Sequence, residues 1–444
     1  MTIVSRVAIA MQAVFGKNLD DVARTTGCVK RQRKFTGMSL LRTVVLTVLY
    51  RPAAKDRDYC AMAGRLGVVL TEQAIAPRFN DGLVQFLSES LKHAVCQTLA
   101  AKPLPATFLQ KFTDLRIGDS STIGLPDEVA EQFPGCGGSE KAGKAAMKIQ
   151  VLWSLKTGQL LQWLIEPGRA SDAKSEIAAS VPPAGSLSIF DLGYFSLERF
   201  RRIEEADAYW ISRFQHNTHV FDQTGQELSL LSFLEKHGEN GLVDVSVVLG
   251  EKERLATRLI AVRVPQEIVA RRRQQVHKNA RDHGRTPSQE YLALQEWTIF
   301  VTNCPPELLN WKEVVVLYRA RWQIELLFKL WKSHNQLAQR ELDTSPQRQM
   351  AVLYAKLIGV IVQHWILLST TWDDGQRSLR KAAAIVRDWI VSIAEALDDL
   401  GRLDELLCRL GAVVANKARV SPRNKHPSLF QLLENPELLD YIIS

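Results

Sequence analysis

The chain is poor in paired cysteines, in long apolar runs and in net acidic charge, and each shortage removes a class of protein. Its six cysteines (Cys28, Cys60, Cys96, Cys136, Cys304 and Cys408) are scattered. Zinc clusters and disulfide frameworks need close or patterned pairs, so neither is expected, and a reducing cytoplasm is the natural setting. The N-terminus has no long apolar core followed by a small-residue cleavage site, so no secretory leader is expected. One stretch, residues 350–368, is long enough to cross a bilayer, but Lys356, Gln363 and His364 interrupt it. It reads as a buried helix, and no membrane partner is expected. Internal repeats and low-complexity tracts are also missing.

What remains is the composition of an ordinary globular protein. With 444 residues, 46% hydrophobic and 23% charged, the chain can build two to four domains and has no need of extensive disorder. Its formal charge of +8 favours a polyanionic partner. Two segments supply the whole excess. Residues 1–34 carry Arg6, Lys17, Arg24, Lys30, Arg31, Arg33 and Lys34 against Asp20 and Asp21. Residues 266–285 carry Arg271, Arg272, Arg273, Lys278, Arg281 and Arg285 against Glu267 and Asp282. Solvated helix faces would account equally well for either run taken alone.

Apolar residues recur at helical spacing up to about Pro105, after which short β-type runs take over. "LRIGDSSTIGL", "KIQVLWSL" and "QLLQWLIEP" predict a three-stranded antiparallel start, with Gly158 in a hairpin turn. "SLSIF", the helix "SLERFRRIEEA" and "YWISRF" then switch the order to strand, helix, strand. A second β-rich stretch follows, with the basic helix inside it; a long helix is then expected from near Trp311 through Gln336, and the rest is mostly helical. The class is mixed α/β. The expected units are a helical N-terminal domain (1–108) whose basic run suits a polyanion such as DNA, a mixed α/β core in two parts (109–216 and 306–345), a β-rich insertion (217–305), and a helical C-terminal region (346–444) suited to dimerisation. No clean helix-turn-helix is visible; "LTEQAIAPRF" could open a recognition helix, but an ordinary helix suits it better.

The helix "LYRARWQIELLFKLWK" places Tyr318, Arg321, Glu325, Lys329 and Lys332 on one face at spacings of three and four. Val314, Leu317, Ile324, Leu327 and Trp331 form the opposite, apolar stripe that should pack on a sheet. Taken alone, the polar face could be a solvated stripe with an Arg321–Glu325 pair worth about 0.3–0.5 kcal/mol. Two further carboxylates change that balance: Asp119 lies inside the first strand, and Asp191 ends "SIFD". A strand carboxylate is costly unless it is paired or binds a ligand, although Asp191 could instead cap the following helix. Three carboxylates on neighbouring elements suit two Mg²⁺ ions, with Mn²⁺ as a substitute, and hence phosphoryl transfer. Arg321, Tyr318, Lys329 and Lys332 would then hold the flanking phosphates.

Tyr318, Arg321, Glu325 and Lys332, spaced by two, three and six intervening residues, resemble the signature of the insertion-sequence-four family of DDE transposases. "GDSSTIGLP" around Asp119 and "DLGYF" around Asp191 are similar to that family's first two acidic blocks. The likeness covers residues 110–345 and implies an RNase H-like core interrupted by a β-rich insertion. It also implies Asp119, Asp191 and Glu325 as catalytic metal ligands, Arg213 as a phosphate contact, and Trp297 as a stacking surface for a flipped base. Double-stranded DNA, both element ends and target, and a homodimer in the DNA complex are the implied partners. A metal-dependent nuclease or resolvase, or a DNA-binding descendant without catalysis, remains open from sequence.

Overall fold

A computed structural model describes residues 1–29, 35–104, 106–136, 143–339, 344–372, 374–420 and 427–440. Four of the seven basic residues of the N-terminal segment, Lys30, Arg31, Arg33 and Lys34, fall outside these ranges.

Among the described residues nine strands form one sheet: β1 (Leu115–Gly124), β2 (Ala146–Ser154), β3 (Leu160–Pro167), β4 (Leu187–Phe190), β5 (Tyr209–Arg213), β6 (Val220–Phe221), β7 (Leu242–Leu249), β8 (Leu255–Arg263) and β9 (Trp297–Thr302). Their order is β3-β2-β1-β4-β5-β9-β8-β7-β6. β1 to β3 make the expected antiparallel meander, and β4 and β5 run parallel to β1. The inserted strands extend this same sheet, because β9 returns antiparallel along the free edge of β5 and leaves that edge paired.

Alternation along the strands separates two cores. Leu115, Ile117, Leu187, Ile189, Ile211 and Phe300 point into one. Phe190, Trp210, Trp297, Ile299 and Val301 point into the other. The first core is shared with helices from both ends of the chain. The helix Pro346–Thr371 packs on Asp81–Val95 and Gly37–Tyr50, and Leu379–Ala396 also packs on Gly37–Tyr50. N- and C-terminal helices thus form one bundle beneath the sheet. The Pro346–Thr371 helix is long and apolar enough to cross a membrane, yet its apolar stretch is wholly buried inside the protein. Lys356 and His364 are accommodated there by bonding to Gln336 and Gly158 carbonyls, which removes the cost of burying bare polar groups.

Two helical expectations need correction. The continuous helix from Trp311 to Gln336 is broken: Trp311–Ala320 ends at a tight turn at Arg321, Trp322–Lys329 follows, and Leu330–His334 is a π-helical turn. At the break the Arg321 N–H donates to Tyr318 three residues back (3.1 Å), and the Ile324 N–H donates to Arg321 likewise. The π turn is held by the Arg387 guanidinium, which donates to the His334 carbonyl and to Asn335 (3.3 Å), while Asn335 donates to Gln363. At the π turn these tertiary bonds have overridden local helical continuity. Within "LTEQAIAPRF" only Glu72–Ile75 is α-helical, followed by a 3₁₀ turn with Pro77, which is too short to read a groove.

Candidate active site

The site is built from three elements that reach one face of the sheet. Asp119 is the fifth residue of β1 and shares the inward parity of Ile117. Asp191 follows β4, and since Phe190 pairs with Gly118, it lies level with Asp119. Glu325 comes from the Trp322–Lys329 helix, and the expected apolar stripe (Val314, Leu317, Ile324, Leu327, Trp331) is buried although it is shared among Trp311–Ala320, this helix and the π turn. That burial turns Arg321 and Glu325 toward the strand ends.

Charge joins the three. The Arg321 guanidinium donates to Glu325 (2.5 Å) and lies 3.5 Å from Asp119. The side chain of Asp119 is only 16% exposed. Burial, reinforced by the charges of Asp191 and Glu325, pushes its carboxyl up to about 6 despite Arg321 and the Ser120 N–H. Arg321 is held firmly in its cationic form by Asp191, Tyr318, Glu325 and Asp119, which together outweigh its burial. Asp191 begins a 3₁₀ turn, but its side chain makes no capping bond, so capping does not explain this carboxylate.

A model of the family described as the transposase DDE domain matches residues 110–358. The chain belongs to this family of transposases. It is also 28% identical over 455 residues to the transposase for insertion sequence element IS231F of Bacillus thuringiensis subsp. israelensis, covering 94% of this chain and 92% of that one. The transposase for IS1151 of Clostridium perfringens is 24% identical over 79% of this chain and 78% of its own. The putative transposase InsL for IS186A of Escherichia coli K12 is 26% identical over 73% and 84% respectively.

In this transposase the remaining candidates divide. Tyr318, Arg213 and Lys332 gather around the carboxylates. Tyr318 is buried, its ring 5.1 Å from that of Phe300, and burial pushes its phenol up to about 12. Arg213 lies over Phe300 at 5.8 Å. Burial lowers its pKa, opposed by Tyr318 and Asp191. Lys332 is likewise lowered by burial and opposed by Asp119. Lys329 is exposed, one turn beyond Glu325.

Trp297 is not brought to this face. It points into the opposite core, 3% exposed, and packs so tightly on Gly238 that a Cβ there would collide with the indole. Stacking a base on it would require the ring to leave that core. The basic helix Gln266–Asp282 is also divided. Arg272 donates to Gln295, Trp297 and Thr298, and Arg273 donates to Leu292 and Glu296. These two anchor the helix, whereas Arg271, Lys278, Arg281 and Arg285 are exposed.

Sequence reading missed Trp322, which is 64% exposed between Arg321 and Glu325, with exposed Leu326 one turn on and exposed Leu192 beside Asp191. The signal was present: Trp322 falls off the apolar stripe. Tyr291 carried no such signal. It comes near Arg213 and lies tilted against His216 (4.3 Å between ring centres) only because the insertion folds back.

Proposed function

We propose that this transposase binds the terminal inverted repeats of its element, cuts the DNA there and joins the freed 3′ ends to target DNA, acting as a homodimer that bridges two ends. The carrying observation is the approach of Asp119, Asp191 and Glu325 to one another around Arg321, where the carboxyl end of β4 lies level with the middle of β1. The strand order β3-β2-β1-β4-β5 supports an RNase H-like core.

Transposases with a DDE domain generally use divalent metal. Among the described residues no three carboxylates, histidines or cysteines already form an ion-binding group, and Arg321 lies between Asp119 and Glu325. The guanidinium marks where the carboxylates draw a cation, and their all-oxygen donor set is the kind Mg²⁺ takes, so the residues fit. Asp119, Asp191 and Glu325 would hold two Mg²⁺ ions, or Mn²⁺ in their place. The chemistry such a pair supplies is activation of water or a 3′-hydroxyl and neutralisation of the leaving oxygen.

The chain's own residues do the rest. Arg321 balances the carboxylates and offers a bidentate fork to a phosphate beside them. Arg213, Lys332 and Lys329 add positive charge around the strand, and Tyr318 closes the floor. The indole of Trp322 presents a flat apolar surface to a base next to the bond being cut.

Incubating the full-length protein and Mg²⁺ with duplex carrying the element's terminal repeat should give nicked and then joined products. Undiminished cleavage by Asp119→Ala or Glu325→Ala would sink the site. Absence of short inverted repeats around the coding region in its native DNA would favour the nuclease reading or that of a DNA-binding descendant without catalysis.

A further inference from the structure

The turn that carries Asp191 is fastened from the side of the sheet away from the carboxylates. The Tyr194 N–H donates to the Asp191 carbonyl (2.9 Å), closing the 3₁₀ turn Leu192–Tyr194. The Tyr194 ring is buried, tilted against Phe190 at 5.6 Å, and its hydroxyl donates to Gln150 Oε1 (2.9 Å). Gln150 is fully buried in β2, directly opposite Ser120, the residue after Asp119. Its amide donates in turn to the carboxylate of Glu166 on β3. Phe190, on the other side of Asp191, lies against Gly118, where a Cβ would come within 2.6 Å of the ring. The Arg199 guanidinium covers Phe190 at 3.5 Å.

Asp191 therefore stands between two buried aromatic anchors. Phe190 is paired with Gly118, one residue from Asp119, and Tyr194 is bonded to Gln150, one residue from Val151, the cross-strand partner of Asp119. From this geometry we propose that Tyr194 is the positioning residue for Asp191. Its hydroxyl, through Gln150 and Glu166, holds the Asp191 turn at a fixed place relative to Asp119. Tyr194 touches no reacting atom. It acts as the outer partners of metal ligands do, whose removal lowers metal affinity or activity by about 10- to 100-fold. The inference rests on Asp191 being a ligand in the proposed site.

Tyr194→Phe keeps the ring and deletes only the bond to Gln150, and Gln150→Met deletes the acceptor at similar volume. Three quantities are measured on full-length protein: Mn²⁺ binding by calorimetry, affinity for element-end duplex in Ca²⁺, and single-turnover cleavage. Tyr194→Phe should weaken Mn²⁺ binding and slow cleavage about tenfold. DNA affinity should stay within about twofold, and the double variant should be no worse than either single one. Wild-type Mn²⁺ affinity and rate in Tyr194→Phe would overturn the proposal. So would losses that add in the double variant and follow only the melting temperature. If Tyr194→Phe does not fold, Gln150→Met carries the same expectations. Asp191→Asn separates the two levels. If it binds Mn²⁺ and cleaves like wild type, the site reading fails and this inference with it. If it is inactive while Tyr194→Phe is normal, only the role of Tyr194 falls.

Discussion

The two faces of the sheet, at the ends of β4 and β5, contain similar residue types put to opposite uses. On one face Arg321 meets Asp119 and Glu325, and the neighbouring Trp322 is left open to solvent. On the other, Arg199 lies on Phe190, Tyr194 is bonded to Gln150, and Trp297 is sealed against Gly238. Like-charge crowding and exposed apolar surface are unfavourable in an isolated fold and are tolerated where a ligand will complete them. The far face has no such need and is packed as a core. Stability and chemistry are thus divided between alternate residues of the same strands.

The sharpest test of this division is catalytic. Asp119→Ala and Glu325→Ala should each lower cleavage by about 10³-fold or more, at unchanged DNA affinity in Ca²⁺. Next come the two tryptophans, which should break in opposite ways. Trp297→Ala should destabilise the fold by about 3–5 kcal/mol in denaturant unfolding. Trp322→Ala should leave stability within about 0.5 kcal/mol and weaken binding to DNA ends with unpaired bases by about 5- to 100-fold. Equal effects on stability would erase the contrast between the faces.

Acid–base behaviour gives a smaller effect of known sign. Because the Asp119 carboxyl sits at about 6 in the fold, against an ordinary value of 3.8, the folded protein holds an extra proton between those values. This group therefore subtracts from stability as pH rises from about 4 through 6. Asp119→Asn should stabilise the metal-free protein at pH 7 by about 1–3 kcal/mol while abolishing cleavage. Mn²⁺ affinity of the wild type should fall as pH drops below about 6, because the ion must then displace that proton. A stability unchanged by the substitution would mean that Arg321 fully offsets the burial of Asp119.

The smallest effect distinguishes anchoring from free cations on the basic helix. Removing Lys278 and Arg281 together should lower the log–log salt slope of DNA binding by about 1.8, at about 0.9 per phosphate, with the unfolding midpoint unchanged. Arg272→Ala should instead lower that midpoint, since three acceptors on and beside β9 lose their donor.

Much of this was legible because periodicity and chemistry coincide along the chain. The apolar stripe of the Glu325 helix, the alternation of β1 to β3, and a carboxylate within one strand and at the end of another each announce themselves locally. These features led to the three acidic residues and the mixed sheet. The break at Arg321 and the π turn were hidden. The π turn arises from bonds to Gln363 and Arg387, far along the chain, and no local pattern encodes either feature.

The fate of the tryptophans shows where local reading stops. The sequence by itself determined that Trp297 lies in a strand and that Trp322 stands off the apolar stripe of a helix. Only the tertiary structure decided which indole meets solvent beside the carboxylates. It did so because β9 returns along β5 in a register that turns residues 297, 299 and 301 away from Asp119, and strand parity leaves no intermediate choice.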